Sequence, residues 1–232
     1  MTDARSAHSQ TLSRGIRILE VLADARAPLT IDELSTALSL HRSVTYRLLR
    51  TLEDHRLVVR DTAGRIALGS RLAALAAGVS HDLQAAALPE LTAVANELGM
   101  TCFLTVLDGD EIVTLVSVEP RHTLGSIAQR PGTRHPIGVG APGKAIASRL
   151  PLAQWPDTLD DAHRAELTDV GERGWASSHD EVITGLRAVA VPLAVHGSPA
   201  AALAVVYVAS SRPETEIAAR LIEGAATIAS SV

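Results

Sequence analysis

The part of the chain from Thr30 to Leu68 constrains the fold more than any other. Thr30 stands three residues before Glu33, which is the spacing of a capping box, where each side chain satisfies a backbone donor at the start of a helix. A short break follows near residues 39–40, and a second helix is predicted from about residue 42 to about residue 55. Two β-type runs come next, so this order of elements predicts a winged helix-turn-helix.

The second helix of this segment has an apolar face and a basic face. Val44, Leu48 and Leu52 recur at i, i+4 and i+8 and form the stripe that we expect to be buried. The other side carries cations and hydroxyls, and the first acid of the helix is Glu53. Such a surface suits a polyanion, and a helix of this size fits the major groove of double-stranded DNA. The residues predicted to contact DNA from this helix are Arg42, Ser43, Thr45, Tyr46, Arg47 and Arg50.

The two β-type runs that follow, at residues 57–60 and 65–68, are predicted to form a wing. Residues 61–64 between them read Asp-Thr-Ala-Gly, which is turn chemistry with a glycine available for positive φ. Arg60 and Arg65 flank this turn, where a side chain could reach a phosphate or the minor groove. A plain pair of helices with water-exposed charges is the alternative that spacing leaves open, but the order of helix, tight turn, basic helix and hairpin favours DNA binding.

The charge of the chain is divided unevenly between its two parts. The formal net charge of −5 argues at first against a nucleic-acid partner. Residues 1–70, however, hold ten arginines against eight acids, while residues 71–232 hold eleven basic residues against eighteen acids. The acids therefore concentrate where no DNA contact is needed.

Cysteine and aromatic content exclude several classes of protein. Cys102 is the only cysteine, so an intrachain disulfide and a cysteine cluster for a metal are excluded. The sequence also shows no pair of histidines at metal-ligand spacing with a third ligand. We therefore predict no metal and no cofactor. The amino terminus lacks the apolar core of a secretory signal, and no run of about 18 apolar residues occurs, so we expect a cytoplasmic protein without a membrane partner. Five aromatic residues are too few for a single-strand or RNA binder.

The hydrophobic pattern divides the chain into three parts. Residues 1–70 are the predicted winged helix-turn-helix domain, residues 71–84 contain a linker helix from Arg71 to Asp82, and residues 85–232 form a second domain. The first helix of the chain is patterned on apolar residues at helical spacing, which are Leu12, Ile16, Leu19, Val21 and Leu22.

The second domain mixes helices with mostly antiparallel strands, which predicts an α+β fold. A helix from Leu88 to Leu98 ends at Gly99, and a hairpin of residues 101–107 and 111–119 turns at Asp108-Gly109-Asp110. Further strands are predicted at residues 124–130, 186–195 and 200–208, and further helices at residues 143–150, 162–173 and 213–230.

A glycine motif in the second domain superficially suggests a nucleotide site. Gly138, Gly140 and Gly143 match G-x-G-x-x-G, but Pro142 interrupts the loop and no βαβ unit surrounds it, so we do not predict nucleotide binding. Backbone N–H groups at the start of a helix can still hold a carboxylate. Ser177-Ser178 beside His179 is interpreted as a loop rather than a nucleophile pair, and we predict that the chain is not an enzyme.

Several segments in register resemble the IclR family of bacterial transcriptional regulators. LSRGIRILEVLAD (residues 12–24), the helix-turn-helix segment and GRIALGSRL are similar to the family's amino-terminal domain. LDGDEIVTLVSVE (107–119), APGKAIASRLP (141–151) and GERGWASSHDEVITGLRAVAVPL (171–193) are similar to its effector-binding domain. The resemblance implies a GAF-like carboxy-terminal domain, a homodimer or homotetramer, and operator binding that changes when a small metabolite binds.

The resemblance also implies a site for the effector, in which this chain departs from its relatives. Ser178 stands where an aspartate is common, Ala188 where a cysteine is common, and Ala204 and Val206 where two serines are common. Unpaired buried polar groups of a small polar ligand would cost about 1 to 3 kcal/mol each, so such a pocket should prefer an organic acid with an apolar or aromatic body. The residues predicted to bind the effector are Gly140 and Ala141, through their backbone, and Ser178, Ala188, Ala204 and Val206.

A second hypothesis stays open at this point. Alanine and valine on strands are ordinary core residues, so the predicted pocket could be filled by its own side chains. The second domain would then no longer sense a ligand and would serve oligomerisation or protein contact.

Overall fold

The chain passes from a first structural unit to a second between Val79 and Ser80. The computed structural model describes residues 9–25, 27–121, 129–195 and 197–232. Within those ranges, no helix is long and apolar enough to cross a membrane. The first unit combines helices with a two-stranded hairpin and the second combines helices with a six-stranded sheet, so the fold class is α+β, as predicted.

The first unit contains the predicted succession of helix, turn, helix and hairpin. Its elements are α1 (Gln10–Asp24), α2 (Ile31–Ala37), α3 (Arg42–Asp54), β1 (Val58–Arg60), β2 (Ile66–Leu68) and α4 (Arg71–Ala76). The capping box at the start of α2 is confirmed, because Thr30 N donates to Glu33 Oε2 at 2.6 Å and Glu33 N donates to Thr30 Oγ1 at 3.2 Å. These bonds from Thr30 also lower the pKa of the Glu33 carboxyl.

The hydrophobic core of the first unit fixes which face of each helix is buried. Leu48 and Leu52 of α3 are buried as predicted, whereas Val44 is only partly buried. On α1 the predicted stripe is wrong in part, because Leu12 is 64% exposed and Ile16 is 46% exposed while Ile18 is fully buried. The buried side of α1 runs through Gly15, Ile18 and Leu22. Several apolar residues of this helix fit either stripe, and only packing against α3 and β2 selects one.

The wing is a short antiparallel hairpin that is joined to the segment before α2. Val59 pairs with Ala67, and the turn is closed by Asp61 Oδ1, which accepts from Ala63 N and Arg65 N. Leu29 and Ile66 exchange two backbone hydrogen bonds of 2.9 and 2.7 Å. The wing is therefore held against the helix-turn-helix through main-chain bonds.

The predicted single linker helix from Arg71 to Asp82 is wrong. The helix α4 ends at Ala76, Ser80 has a positive φ of 46°, and a separate helix α5 begins at His81 and ends at Leu98. The helix predicted to begin at Leu88 therefore begins seven residues earlier. Leu83 and Ala87 anchor these added turns because both are buried in the core of the second unit.

The second unit is built around one antiparallel sheet. After α5 (His81–Leu98) its elements are β3 (Thr101–Asp108), β4 (Glu111–Val118), β5 (Arg134–Pro136), α6 (Gly140–Ala147), α7 (Asp161–Arg173), β6 (Ala176–His179), β7 (Arg187–Leu193), β8 (Ala201–Tyr207) and α8 (Glu214–Ala229). The strand order is β5-β4-β3-β8-β7-β6. Of the strand predicted at 124–130, residues 124–128 lie outside the described residues. The short edge strands β5 and β6 were not predicted, because three or four residues carry too little alternation to be recognised.

Both faces of this sheet are buried, and the two faces differ in side-chain size. On β8, Leu203 and Val205 pack in the cluster that contains α5 and α8. Ala202 and Ala204, which point the other way, pack in the cluster that contains α6. The small side chains on that face let α6 lie close to the sheet. The start of α6 therefore sits beside β6 and β7.

The helix α6 begins three residues before the predicted position, at Gly140. Pro142, which we interpreted as an interruption, lies in the first turn of this helix. A proline is tolerated there because the first N–H groups of a helix have no partner inside the helix. The glycine-rich loop is thus the beginning of a helix whose described residues are all buried.

Candidate functional site

The exposed face of α3 carries the best candidates for contact with DNA. Arg47 and Arg50 are exposed, Tyr46 is 50% exposed, and Ser43 is exposed at the first turn. No ion pair of the described residues involves Arg47 or Arg50, whereas several other arginines of the first unit are paired. The two arginines are three positions apart on α3 and therefore lie on the same side of the helix, so both can face a groove. This geometry suits bidentate contact with guanine or with phosphate.

Arg42 at the start of α3 is paired with an acid of α2. Its Nη1 lies 3.0 Å from Asp32 Oδ1, and both side chains are 67% exposed. An ion pair with this exposure contributes only about 0 to 1 kcal/mol. Exchange of Asp32 for a DNA phosphate is therefore energetically easy.

The prediction that Thr45 contacts DNA is wrong, because its side chain is not accessible in this structure. The side chain is fully buried between α2 and α3, and Ser35 Oγ lies 3.0 Å from Thr45 Oγ1. One turn of α3 places position 45 beside Leu48, Leu49 and Leu52 on the inner face. Thr45 packs α3 against α2, and its buried side chain does not face the DNA.

The two wing arginines are tied to the protein around them. Arg60 Nε lies 2.9 Å from Glu53 Oε1, so the wing is paired with the end of α3. Arg65 Nη1 donates to the carbonyl oxygen of Pro28 at 2.9 Å and lies 3.7 Å from Glu33 Oε2. These contacts orient the wing, and 46% of the Arg65 side chain stays exposed.

A small cavity in the second unit lies between the start of α6, the sheet and the loop of residues 180–186, which we call the strap. Its volume is about 40 Å³. The apolar lining comprises Phe103, Val182, Ile183, Leu186, Ala188 and Val206, and the polar lining comprises Gln129, His135, Ser178, Glu181 and Arg187. Burial lowers the pKa of His135. The cavity is thus mainly hydrocarbon, with a few polar groups at its edges.

Five of the six residues predicted to bind an effector line this cavity. They are Gly140, Ala141, Ser178, Ala188 and Val206. The prediction that Ala204 binds the effector is wrong. Ala204 is fully buried in the apolar cluster beneath α6 and does not line the cavity. The methyl group at position 204 therefore supports α6 through packing.

The backbone donors at the start of α6 already have acceptors within the protein. Gly140 N donates to Glu181 Oε2 at 3.0 Å, and Ala141 N donates to Ser178 Oγ at 3.0 Å. A carboxylate does bind at this helix start, as the sequence suggested, but it belongs to the strap. The prediction missed Glu181, although the acidic run His179-Asp180-Glu181 was the available signal.

Lys144, the only lysine of the chain, lies within this cluster. It is 4% exposed, and its Nζ lies 2.6 Å from Glu181 Oε1 and 2.7 Å from Glu166 Oε1. A buried ammonium needs such partners because an unpaired charge is costly in the interior. Glu181 therefore bridges the helix start and the lysine with its two oxygens.

The strap has its own internal turn. Asp180 N donates to the carbonyl oxygen of Leu186 at 3.0 Å, and Gly185 N donates to Asp180 Oδ1. Asp180 has a φ of 61° and Gly185 a φ of 84°. The strap lies over the helix start so closely that a Cβ on Gly140 would stand 2.7 Å from Val182 Cγ2. Glycine at position 140 therefore permits both the positive φ and the close contact.

No group of three His, Cys, Asp or Glu side chains that could hold a metal ion occurs in the described parts of the chain. The cavity also brings together no nucleophile and base at hydrogen-bonding distance among those residues: Ser178 Oγ is bonded to a backbone N–H. The geometry of this site is suited to binding.

Comparison with known proteins gives consistent matches along the whole chain. The IclR helix-turn-helix domain matches residues 11–62, and the bacterial transcriptional regulator IclR C-terminal domain matches residues 75–232. The probable transcriptional regulator SauR of Cupriavidus necator is 33% identical over 226 residues, which cover 89% of this chain and 89% of that protein.

Solved structures show the same fold. An IclR transcriptional regulator from Alicyclobacillus acidocaldarius is 28% identical with a TM-score of 0.84, over 97% of this chain and 99% of that one. An IclR homolog from Microbacterium hydrocarbonoxydans, complexed with 4-hydroxybenzoate, is 22% identical with a TM-score of 0.82, over 96% of this chain and 98% of that one. The chain therefore belongs to the IclR family of bacterial DNA-binding transcriptional regulators, and it is not an enzyme.

Proposed function

We propose that this regulator binds operator DNA as a homodimer or homotetramer in the cytoplasm, and that a small organic effector with an apolar or aromatic body modulates the binding. Arg47 and Arg50 are the proposed base-reading residues, with Ser43 and Tyr46 beside them and with Arg42, Arg60 and Arg65 at the phosphates. One recognition helix covers only a few base pairs. Useful specificity therefore requires two of them on a palindromic operator.

One row of residues across the sheet supports an effector with hydrocarbon surface. Ser178 of β6 is paired with Ala188 of β7, and Ala188 is paired with Val206 of β8. Neighbouring strands thus offer one hydroxyl and two hydrocarbon side chains to the cavity. A small polar acid would bury its oxygens against Ala188 and Val206 without hydrogen bonds, which costs about 1 to 3 kcal/mol per group. An aromatic ring has no hydrogen-bonding group that would be left unpaired against these side chains.

A second candidate function has its own support. The cavity of about 40 Å³ is far smaller than a ligand pocket, which usually measures roughly 300 Å³ or more. Both predicted backbone donors are also bonded within the protein. A second unit that no longer senses a ligand and serves oligomerisation would have these features.

Titration calorimetry and thermal shift on the full chain separate the two candidates. The panel compares three aromatic acids, benzoate, phenylacetate and 4-hydroxybenzoate, with the small polar acids glyoxylate and pyruvate. 4-Hydroxybenzoate is included because the Microbacterium homolog is complexed with it. We expect an aromatic acid to bind, and a ligand at 100 times its Kd stabilises the folded state by about 2.7 kcal/mol. Tight binding of the small polar acids alone would contradict the proposed effector class. No binding by any member favours the second candidate.

A further inference from the structure

Glu181 holds the position that an acidic effector would be expected to take. One oxygen of its carboxylate accepts from Gly140 N at 3.0 Å, and the other lies 2.6 Å from Lys144 Nζ. Backbone N–H groups at a helix start together with a buried ammonium form a strong site for one carboxylate. The strap fills that site with a side chain of the protein itself.

The cavity can accept an organic molecule only if something moves, and the strap is the element that can move at low cost. The walls formed by β7 and β8 belong to the buried sheet, and α6 is buried along its described length. On the strap, Val182 is 46% exposed and Ile183 is 51% exposed. Moving these residues outward breaks few apolar contacts of the core. The Glu181 carboxylate joins the strap to α6 through charge-assisted contacts with Gly140 N and Lys144 Nζ.

Lys144 has a second carboxylate partner that would remain if Glu181 moved away. Its Nζ lies 2.7 Å from Glu166 Oε1, and the Glu166 side chain is 39% exposed on α7, outside the strap. Removing the only partner of a buried charge is strongly unfavourable. Because Glu166 stays in place, Lys144 keeps one partner when the strap leaves, and an incoming carboxylate restores the second.

We propose that Glu181 is an internal competitor of the effector: an organic acid binds by placing its carboxylate on Gly140 N–H and Lys144 in place of the Glu181 carboxylate, and the strap moves outward to admit its body. The inference rests on the proposed function, since it takes this cavity as the effector site. The apparent affinity for an acid is then reduced by the fraction of molecules in which Glu181 has left. Neutral molecules cannot replace the carboxylate, so Glu181 selects for acids.

Chemical rescue with acetate tests the competition without knowledge of the effector. In Glu181→Ala the carboxylate position is open to a free carboxylate, and sodium acetate at constant ionic strength should raise the melting temperature saturably by roughly 2 to 4 °C. The wild-type chain, in which Glu181 fills the site, should show no saturable rise. Acetamide should have no effect on either protein, because it lacks the charge that Lys144 requires.

Glu166→Ala is the matched control. It also removes a carboxylate from Lys144, but among the described residues the Glu166 carboxylate contacts Lys144 and accepts no hydrogen bond from a backbone N–H. We expect no saturable response to acetate from this variant. A response equal to that of Glu181→Ala would overturn the proposal, because the effect would then reflect the charge on Lys144 alone.

The reactivity of Lys144 gives a second readout at the site itself. Since Lys144 is the only lysine, labelling with an N-hydroxysuccinimide ester followed by peptide mass spectrometry reports on one ε-amine. Labelling should be faster in Glu181→Ala than in wild type, and acetate should slow it again.

If Glu181→Ala does not fold, Glu181→Gln replaces it, because glutamine keeps the shape of the side chain. The affinity of Glu181→Gln for an aromatic acid should be about tenfold higher than that of wild type. Its affinity for the matching amide should equal that of wild type.

The outcomes separate this inference from the proposed function. If an aromatic acid binds the wild-type chain but neither variant shows the acetate or affinity effect, the effector pocket stands and the competition is refuted. If acetate rescues Glu181→Ala while only the small polar acids bind the wild-type chain, the competition stands and the proposed effector class is wrong.

Discussion

Ser35 and Thr45 join the two helices of the helix-turn-helix through hydroxyl groups whose oxygens lie 3.0 Å apart. Ser35 Oγ also lies 2.7 Å from the carbonyl oxygen of Ile31, one turn earlier in α2. Thr45 is fully buried there. The contact joins α2 to α3 beside the apolar core that holds α3 in place, and that core decides which face of α3 exposes its arginines.

Replacing Thr45 with valine should lower stability without changing DNA recognition. The substitution keeps the volume but removes the hydroxyl, and loss of one buried hydrogen bond costs about 1 kcal/mol of the free energy of unfolding. Chemical denaturation of Thr45→Val and of the control Thr51→Val, which makes the same exchange at an exposed position of α3, measures the difference. Equal stability of the two variants, together with weaker DNA binding by Thr45→Val, would show that position 45 contacts DNA after all.

Arg47 and Arg50 should carry most of the sequence-specific binding energy. Loss of a bidentate guanine contact costs about 1 to 3 kcal/mol, which is roughly a 5- to 150-fold loss of affinity, and it relaxes specificity at one base pair. Loss of a phosphate contact weakens all sequences alike. Gel-shift titrations of Arg47→Ala and Arg50→Ala, with the exposed Arg149→Ala of the second unit as the charge-matched control, distinguish these outcomes. Unchanged operator binding by both variants would refute the assignment.

The chain should assemble at least into a dimer. Two recognition helices must lie about one helical turn of DNA apart, or a multiple of it, to read a palindromic site. Light scattering coupled to size-exclusion chromatography at micromolar concentration measures the mass, free and on DNA. A monomer in both conditions would exclude the proposed mode of binding.

His135 should make the protein less stable in mild acid. Burial lowers its pKa in the folded state, so the unfolded chain binds the proton more readily. The stability that this group provides is therefore complete above the ordinary histidine pKa of about 6.5 and is lost as pH falls through that value towards the lower pKa of the folded state.

The melting temperature measured between pH 7.5 and pH 5 tests this prediction. The decrease should be smaller in His135→Gln than in wild type, whatever the stability of the variant at pH 7.5. His55→Gln, which replaces an exposed histidine of the first unit, is the matched control and should decrease as wild type does. An unchanged pH dependence in His135→Gln would mean that other groups cause the acid destabilisation.

Local chemistry made several elements predictable. Thr30 and Glu33 mark the start of α2 because a capping box involves only residues three apart. The turn of the wing was recognised because Asp61 and Gly64 have strong conformational preferences of their own. Gly99 ends α5 as predicted, with a φ of 68°. In each case the interacting groups are close in sequence, so the pattern contains the whole interaction.

The sequence by itself determined the family, the winged helix-turn-helix, and the hydrocarbon residues Ala188 and Val206 of the cavity. Only the tertiary structure decided that Thr45 is buried, that Ile18 rather than Leu12 faces the core, and that Glu181 occupies the start of α6. Glu181 is 41 residues from Gly140. Contacts of this kind depend on how the sheet places α6 and the strap side by side. The hydrophobic pattern of a single segment cannot predict that placement.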